Sequence, residues 1–227
     1  MGATLVAGLG NTILIALGAY GMGLVIGVAG AFGKLYGGPV TKDLLAVYTT
    51  LVRAVPELVL LLLITFAAKD GINKILTSNG FDPIDFSGVV AGIVVLGVVQ
   101  GAYSTEVLRG AIQSVPAGQI EAARAMGMSP GKIARRVTLP LMTSAAVPGL
   151  ANLWLTVTKD TALLAVIGFI ELTKATSLAA GTTKSFLTFY LAAGVLYLML
   201  SLVSGLIFGR IEKWARRGQR TLAGGGM

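Results

Sequence analysis

The 227 residues contain no cysteine and no histidine. That double absence removes disulfides, thiolate chemistry, imidazole metal ligands and histidine-based acid–base catalysis. Charge is scarce as well. Only 12% of residues are charged while 55% are hydrophobic, against roughly 25% charged in an ordinary globular domain. A chain this apolar does not bury its surface in water. Apolar runs of about twenty residues recur along it, each long enough to cross a hydrocarbon core roughly 30 Å thick. The expected class is an all-α, polytopic transmembrane helix bundle, with no room for a further soluble enzyme domain.

Five spans are predicted, at 10–33, 44–68, 87–108, 141–170 and 185–209. The first apolar stretch has no basic region before it and exceeds a signal core in length, so it reads as a retained span. Basic residues assign the sides. Lys34 and Lys42, the cluster Arg109, Arg124, Lys132, Arg135 and Arg136, and the terminal group Arg210, Lys213, Arg216, Arg217 and Arg220 put twelve on one face. Lys69, Lys74, Lys174 and Lys184 are the four on the other, while Arg53 and Lys159 fall inside spans. By the positive-inside rule the N-terminus is outside and the C-terminus cytoplasmic. The same asymmetry accounts for the net charge of +8 without a nucleic-acid partner; lipid is the partner it implies. Residues 1–220 are read as one membrane domain and 221–227, with three consecutive glycines, as a flexible tail.

Glycine pairs four apart, Gly23 with Gly27, Gly88 with Gly92, Gly97 with Gly101 and Gly205 with Gly209, suit close packing of helix backbones within the bundle. Five charges interrupt the spans: Arg53, Glu57, Glu106, Lys159 and Asp160. Each costs on the order of 2.5–3.5 kcal/mol in a span, so each needs a partner, an aqueous cavity or the interface. Arg53 and Glu57 are spaced to pair on one helix face, and Glu106 can pair with Arg109. Lys159 and Asp160 point about 100° apart on a helix and do not pair with each other. Asp160 is the leading candidate to hold a substrate cation, with Thr158 and Thr161 as hydrogen-bond donors nearby and Asn152 and Trp154 on the same span. Anchoring of Lys159 and Asp160 to a neighbour such as Glu106 is the competing structural role.

Residues 114–140 read SVPAGQIEAARAMGMSPGKIARRVTLP. Pro116 opens a short helix, Gly127 suits the left-handed residue that ends it, and Ser129 with Pro130 begins a second, closed by Pro140. Ala122, Ala123 and Ala125 leave a face on which another protein could approach the backbone. A hairpin resting on lipid headgroups, with Arg124, Arg135 and Arg136 obeying the positive-inside rule, fits the same residues. The run Glu121, Ala122, Ala123, three residues, Gly127, nine residues, Val137, one residue, Leu139 and Pro140 resembles the EAA loop of ABC importer permeases. Val137 replaces the usual isoleucine there. YTTLVRAVPEL at 48–58, GAYSTEVLRGAIQSVPAGQIEAA at 101–123 and NLWLTVTKDTALLAVIG at 152–168 resemble the polar amino acid subgroup, in particular permeases for histidine, lysine, arginine and ornithine or for opines.

The resemblance implies a type I importer permease whose coupling helix, carried by Glu121, Ala122, Ala123, Arg124, Gly127, Leu139 and Pro140, docks on a separate ATPase. It also implies a second permease subunit, identical or homologous, a periplasmic amino-acid-binding protein, and a place in the bacterial inner membrane. No cofactor is expected on this chain, because GMSPGKI at 127–133 has the wrong spacing for a nucleotide-binding loop; ATP and magnesium would belong to the ATPase. Two other classes stay open on the residues alone. One is an ion-coupled carrier using Glu57, Glu106 and Asp160. The other is a membrane scaffold that recruits a cytoplasmic protein.

A reporter fused after Arg217 should score cytoplasmic in a phosphatase and fluorescence assay. Periplasmic activity there would overturn the assigned topology.

Overall fold

The computed structural model describes residues 2–83 and 88–216, and among these there is no strand. The helices are α1 (Gly2–Tyr36), α2 (Pro39–Ala54), α3 (Glu57–Ser78), α4 (Val89–Gln113), α5 (Ala117–Ala125), α6 (Pro130–Ile133), α7 (Leu139–Asp160), α8 (Leu172–Thr183) and α9 (Phe186–Ala215). A π-helical turn, Ala134–Thr138, joins α6 to α7, and a 3₁₀ helix, Thr161–Ile167, extends α7. The predicted tail at 221–227 lies outside the described residues.

The α1, α4 and α9 helices and the composite Pro130–Ile167 helix are each long and apolar enough to cross a membrane. The α2–α3 pair makes a fifth span, bent by 120°. Direction follows from contacts. Gly18 of α1 faces Ile93 of α4, Gly23 faces Gln100, Gly27 faces Ser104 and Gly30 faces Thr105, so α1 and α4 run parallel. Two parallel neighbours demand that the chain between them return across the membrane. The bent α2–α3 pair is therefore a broken span, and no re-entrant loop satisfies the geometry. The α7 helix runs the other way, with Gly149 against Val107, Gln100 bonded to the Leu153 carbonyl and Leu164 beside Gly92. The α9 helix follows α1, since Tyr197 lies near the Thr12 level through Glu171 and Phe208 meets Tyr20.

The closest packing is between α1 and α4. A Cβ on Gly23 would come within 2.7 Å of Gln100, one on Gly97 within 2.8 Å of Met22, and one on Gly101 within 2.5 Å of Ile26, while one on Gly27 would collide with Ser104. Two of the four glycine pairs thus form this seam. Gly88 instead stands at the start of α4 with φ +110°, and Gly205 and Gly209 face open space. The buried residues around the seam, Ile15, Ala16, Ala19, Val95, Leu96, Val99 and Ala102, form the main core with Val157 and Leu164 of the returning span.

Four expectations are corrected. The span predicted at 44–68 breaks at Val55 and Pro56, where the backbone becomes extended; Pro56 has no N–H to continue the ladder and disfavours helical geometry in the residue before it. Its second half then runs on to Ser78, ten residues past the expected end of the span. The stretch 171–184, left between the fourth and fifth predicted spans, is largely helix α8. Leu172, Ala175, Thr176, Ala179 and Ala180 are buried at helical spacing, and the fully buried Glu171 caps it by accepting bonds from the Thr173 and Lys174 amides at 2.8 and 2.7 Å. Small and hydroxylated residues hid this amphipathic pattern. Finally, Pro140 does not close the second short helix. The Leu139 amide bonds back five residues to Ala134, and the wider π turn makes room for a ring that would otherwise strike the carbonyl four residues earlier.

Replacing Gly27 with leucine should cost about 1–3 kcal/mol through overpacking, read as a lower midpoint of thermal unfolding in detergent. Gly205→Leu should leave that midpoint unchanged; equal effects would refute the α1–α4 seam as the tighter contact.

Candidate transport site and coupling hairpin

The cytoplasmic hairpin forms much as its punctuation suggests. Helix α5 begins after Pro116 and ends at Met126, and Gly127 adopts φ +75°. Its amide bonds the Arg124 carbonyl at 2.9 Å, while that of Met128 bonds Ala123 at 3.1 Å, tying off the helix end. Pro130 opens α6 with Ser129 in extended conformation before it, although the serine side chain makes no capping bond. Ile120 packs against a cluster containing Ala31, Leu108, Val115 and Met142, and Ala123, three residues on, is also buried. This places Ala123, only 2% exposed, away from any partner. Among the exposed residues of α5, Gly118, Glu121, Ala122 and Ala125 fall at i, i+3, i+4 and i+7 and so share one side of the helix. Arg124, Gly127, Leu139 and Pro140 are also exposed.

The intramembrane charges divide into two groups. Near the cytoplasmic ends of α1 and α4, Glu106 receives Lys34 Nζ at 2.6 Å and Arg109 at 2.7 Å. Lys34 also donates to Thr49 of α2 at 2.8 Å, and Arg109 to Gln113 at 2.6 Å. One carboxylate thereby ties three helices together with its charge balanced. The pairing of Glu106 with Arg109 follows the sequence expectation; Lys34, seventy-two residues away in the chain, was assigned only to the cytoplasmic side. Anchoring of Asp160 or Lys159 by Glu106 does not occur, because that carboxylate is already engaged.

The second group lies further along the spans, and none of its four charges is held in a salt bridge among the described residues. The 120° break puts Arg53 at the end of α2 and Glu57 at the start of α3, so they do not share a helix face and no ion pair joins them among the described residues. Glu57 instead comes within hydrogen-bonding reach of Asp160 and of Tyr103. Arg53 and Lys159 are exposed, and Asp160 and Glu57 partly so. On α7, Asn152, Thr156 and Lys159 follow at i, i+4 and i+7, none of them buried. A polar stripe therefore continues from the carboxylates along one side of the returning span. Thr156 and Tyr103 belong to this surface although the sequence singled out neither as a leading candidate; the i+4 spacing from Asn152 was the available signal for the former.

The other candidates on α7 look inward. Thr158 and Thr161 are fully buried, and their hydroxyls donate to the Trp154 and Thr158 carbonyls at 2.8 Å. Trp154 sits edge-on to Tyr20, with ring centroids 5.4 Å apart. These three bind the span to the bundle. Among the described residues no cluster of acidic, cysteine or histidine side chains is arranged to hold a metal.

Comparisons with known proteins bear on this arrangement. The family described as binding-protein-dependent transport system inner membrane component matches residues 21–217. The histidine/lysine/arginine/ornithine transport system permease protein of Salmonella typhimurium is 40% identical over 202 residues, covering 89% of each chain. The nopaline transport system permease protein of Agrobacterium fabrum is 40% identical over 217 residues, covering 92% of this chain and 90% of that one. Among solved structures, an amino acid ABC transporter with histidines aligns with a TM-score of 0.78 at 27% identity, over 93% of this chain and 94% of that one. An inward-facing methionine ABC transporter shares the fold, with a TM-score of 0.75.

Gly127→Val should strain the left-handed turn by roughly 1–2 kcal/mol. Limited proteolysis should then cut residues 114–140 faster while the spans still insert; unchanged protection would show that the turn does not hold the hairpin.

Proposed function

The chain belongs to the family of binding-protein-dependent transport system inner membrane components, and from that premise we propose that it is the membrane-spanning subunit of an ATP-driven importer that carries polar, basic amino acids or opines across the bacterial inner membrane. Its relatives serve histidine, lysine, arginine and ornithine or nopaline. The observation that carries the substrate class is the intramembrane surface where Glu57 and Asp160 approach each other with Arg53 and Lys159 at its edge.

Charges exposed at that depth are incompatible with hydrocarbon, so the surface faces a water-filled path, closed on the far side by a second permease subunit, identical or homologous. Two neighbouring carboxylates repel, and a cation between them relieves the repulsion. A basic amino acid brings such a cation, and its carboxylate finds positive charge at Arg53 or Lys159. Asn152, Thr156 and Tyr103 supply neutral hydrogen-bonding groups along the same route.

Energy comes from outside the chain. The small-residue face of α5 lets an ATPase subunit approach the helix backbone, and Ile120, packed on the cluster of Ala31, Leu108 and Met142, transmits its movement to the ends of α1, α4 and α7. Closure of the ATPase pair then shifts the bundle between inward-facing and outward-facing states. ATP and magnesium are bound by that partner, and this chain holds no cofactor. A periplasmic binding protein delivers the substrate. The ion-coupled carrier is disfavoured because Glu106, one of the three carboxylates of its proposed cation path, is neutralised by Lys34 and Arg109.

Asp160→Asn in the reconstituted transporter should reduce arginine uptake about tenfold or more, the range for losing a charged hydrogen bond, and affect a neutral polar amino acid less. Equal arginine uptake by variant and parent would remove Asp160 from the site.

A further inference from the structure

A groove of about 630 Å³ opens beside the coupling hairpin, between the last turns of α1 and α4, the first turn of α7, and α5 to α6. Phe32, Tyr36, Ile120, Met128, Ile133 and Met142 are among its lining residues, and Arg124 is the single charged one. Phe32 and Tyr36 are 50% and 70% exposed and lie ring to ring, 5.8 Å apart. The groove sits where three spans reach the cytoplasmic side, which is the depth of lipid headgroups and of interfacial tyrosines. Lys132, Arg135 and Arg136 are exposed on the adjoining turns, and neither they nor Arg124 have an acidic partner among the described residues.

An apolar slot of this size with a single cation, Arg124, in its wall matches one chemistry, an acyl chain carrying a negatively charged head. We propose that the groove holds an anionic phospholipid of the cytoplasmic leaflet, one chain lying against Ile133 and Met142 and the phosphate against Arg124. The lipid does not compete with the ATPase. Arg124 lies roughly 110° around α5 from the centre of the Gly118–Ala125 face, at 100° per residue. A lipid there also touches α1, α5, α6 and α7 together, so it braces the hairpin against the spans it drives. This inference concerns lipid occupancy and stands whether or not the substrate surface is assigned correctly.

The test is native mass spectrometry of the whole transporter, extracted from nanodiscs that contain phosphatidylcholine and phosphatidylglycerol. The parent should retain phosphatidylglycerol preferentially. Arg124→Gln should lower that preference about fivefold, the worth of one basic residue at an anionic surface, while Ala134→Phe, which fills the slot, should release both lipids. A preference unchanged in Arg124→Gln overturns the proposal. Because Ala134→Phe alters the π turn, a photo-activatable residue at position 128 gives an independent reading. Label recovered on phospholipid supports the groove as a lipid site; label recovered on the ATPase or a permease chain overturns it.

Discussion

The absence of side chains along one stripe of α1 sets the geometry of the molecule. Gly23, Gly27 and Gly30 bring the α1 backbone against Gln100, Ser104 and Thr105, and Gly97 and Gly101 do the same from α4 toward Met22 and Ile26. In lipid there is no hydrophobic gain from hiding one apolar helix against another, so dispersion between closely fitted surfaces holds the pair. The fit also fixes register. With α1 and α4 parallel and level, Lys34 reaches Glu106, and the Gln100 side chain reaches the backbone of the returning α7 span. The main core gathers on this pair.

Polar groups then sort by whether the bundle satisfies them. Glu106 is balanced by two cations from α1 and α4. Glu171, fully buried on the outer side, accepts from two amides of α8 and from Tyr197 at 2.9 Å. Both carboxylates hold helices in place and need nothing further. Glu57, Asp160, Arg53 and Lys159 are different, because none is buried and none forms a salt bridge among the described residues. Such charges need water, a partner or the interface to persist in a membrane, and this is the surface on which the proposed basic amino acid site rests.

The same distinction explains how far the site was readable from the residues. The hairpin at 114–140 was legible because its determinants are local: a proline that opens a helix, a glycine with positive φ that ends it, and a second proline that starts the next. Ala123 shows the limit. It belongs to the motif by spacing, yet the folded hairpin buries it, a fact set by how α5 packs on α6 and the π turn. The contact between Glu57 and Asp160 was not legible either, since they are more than a hundred positions apart and meet only because the chain breaks at Pro56.

Composition and span length were enough to determine a membrane bundle of about five crossings, and the placement of basic residues to assign it an orientation, because transfer into lipid and the positive-inside bias act on each segment almost independently of the others. Helix punctuation determined the hairpin for a similar reason, the energies being local to a few residues. Tertiary structure alone decided which charges are bolts and which line the open surface, that the second crossing is broken by 120°, and that the outer segment 172–183 folds as a buried helix. Those outcomes depend on which distant side chain occupies the few ångströms around each group, and no single stretch of chain carries that information.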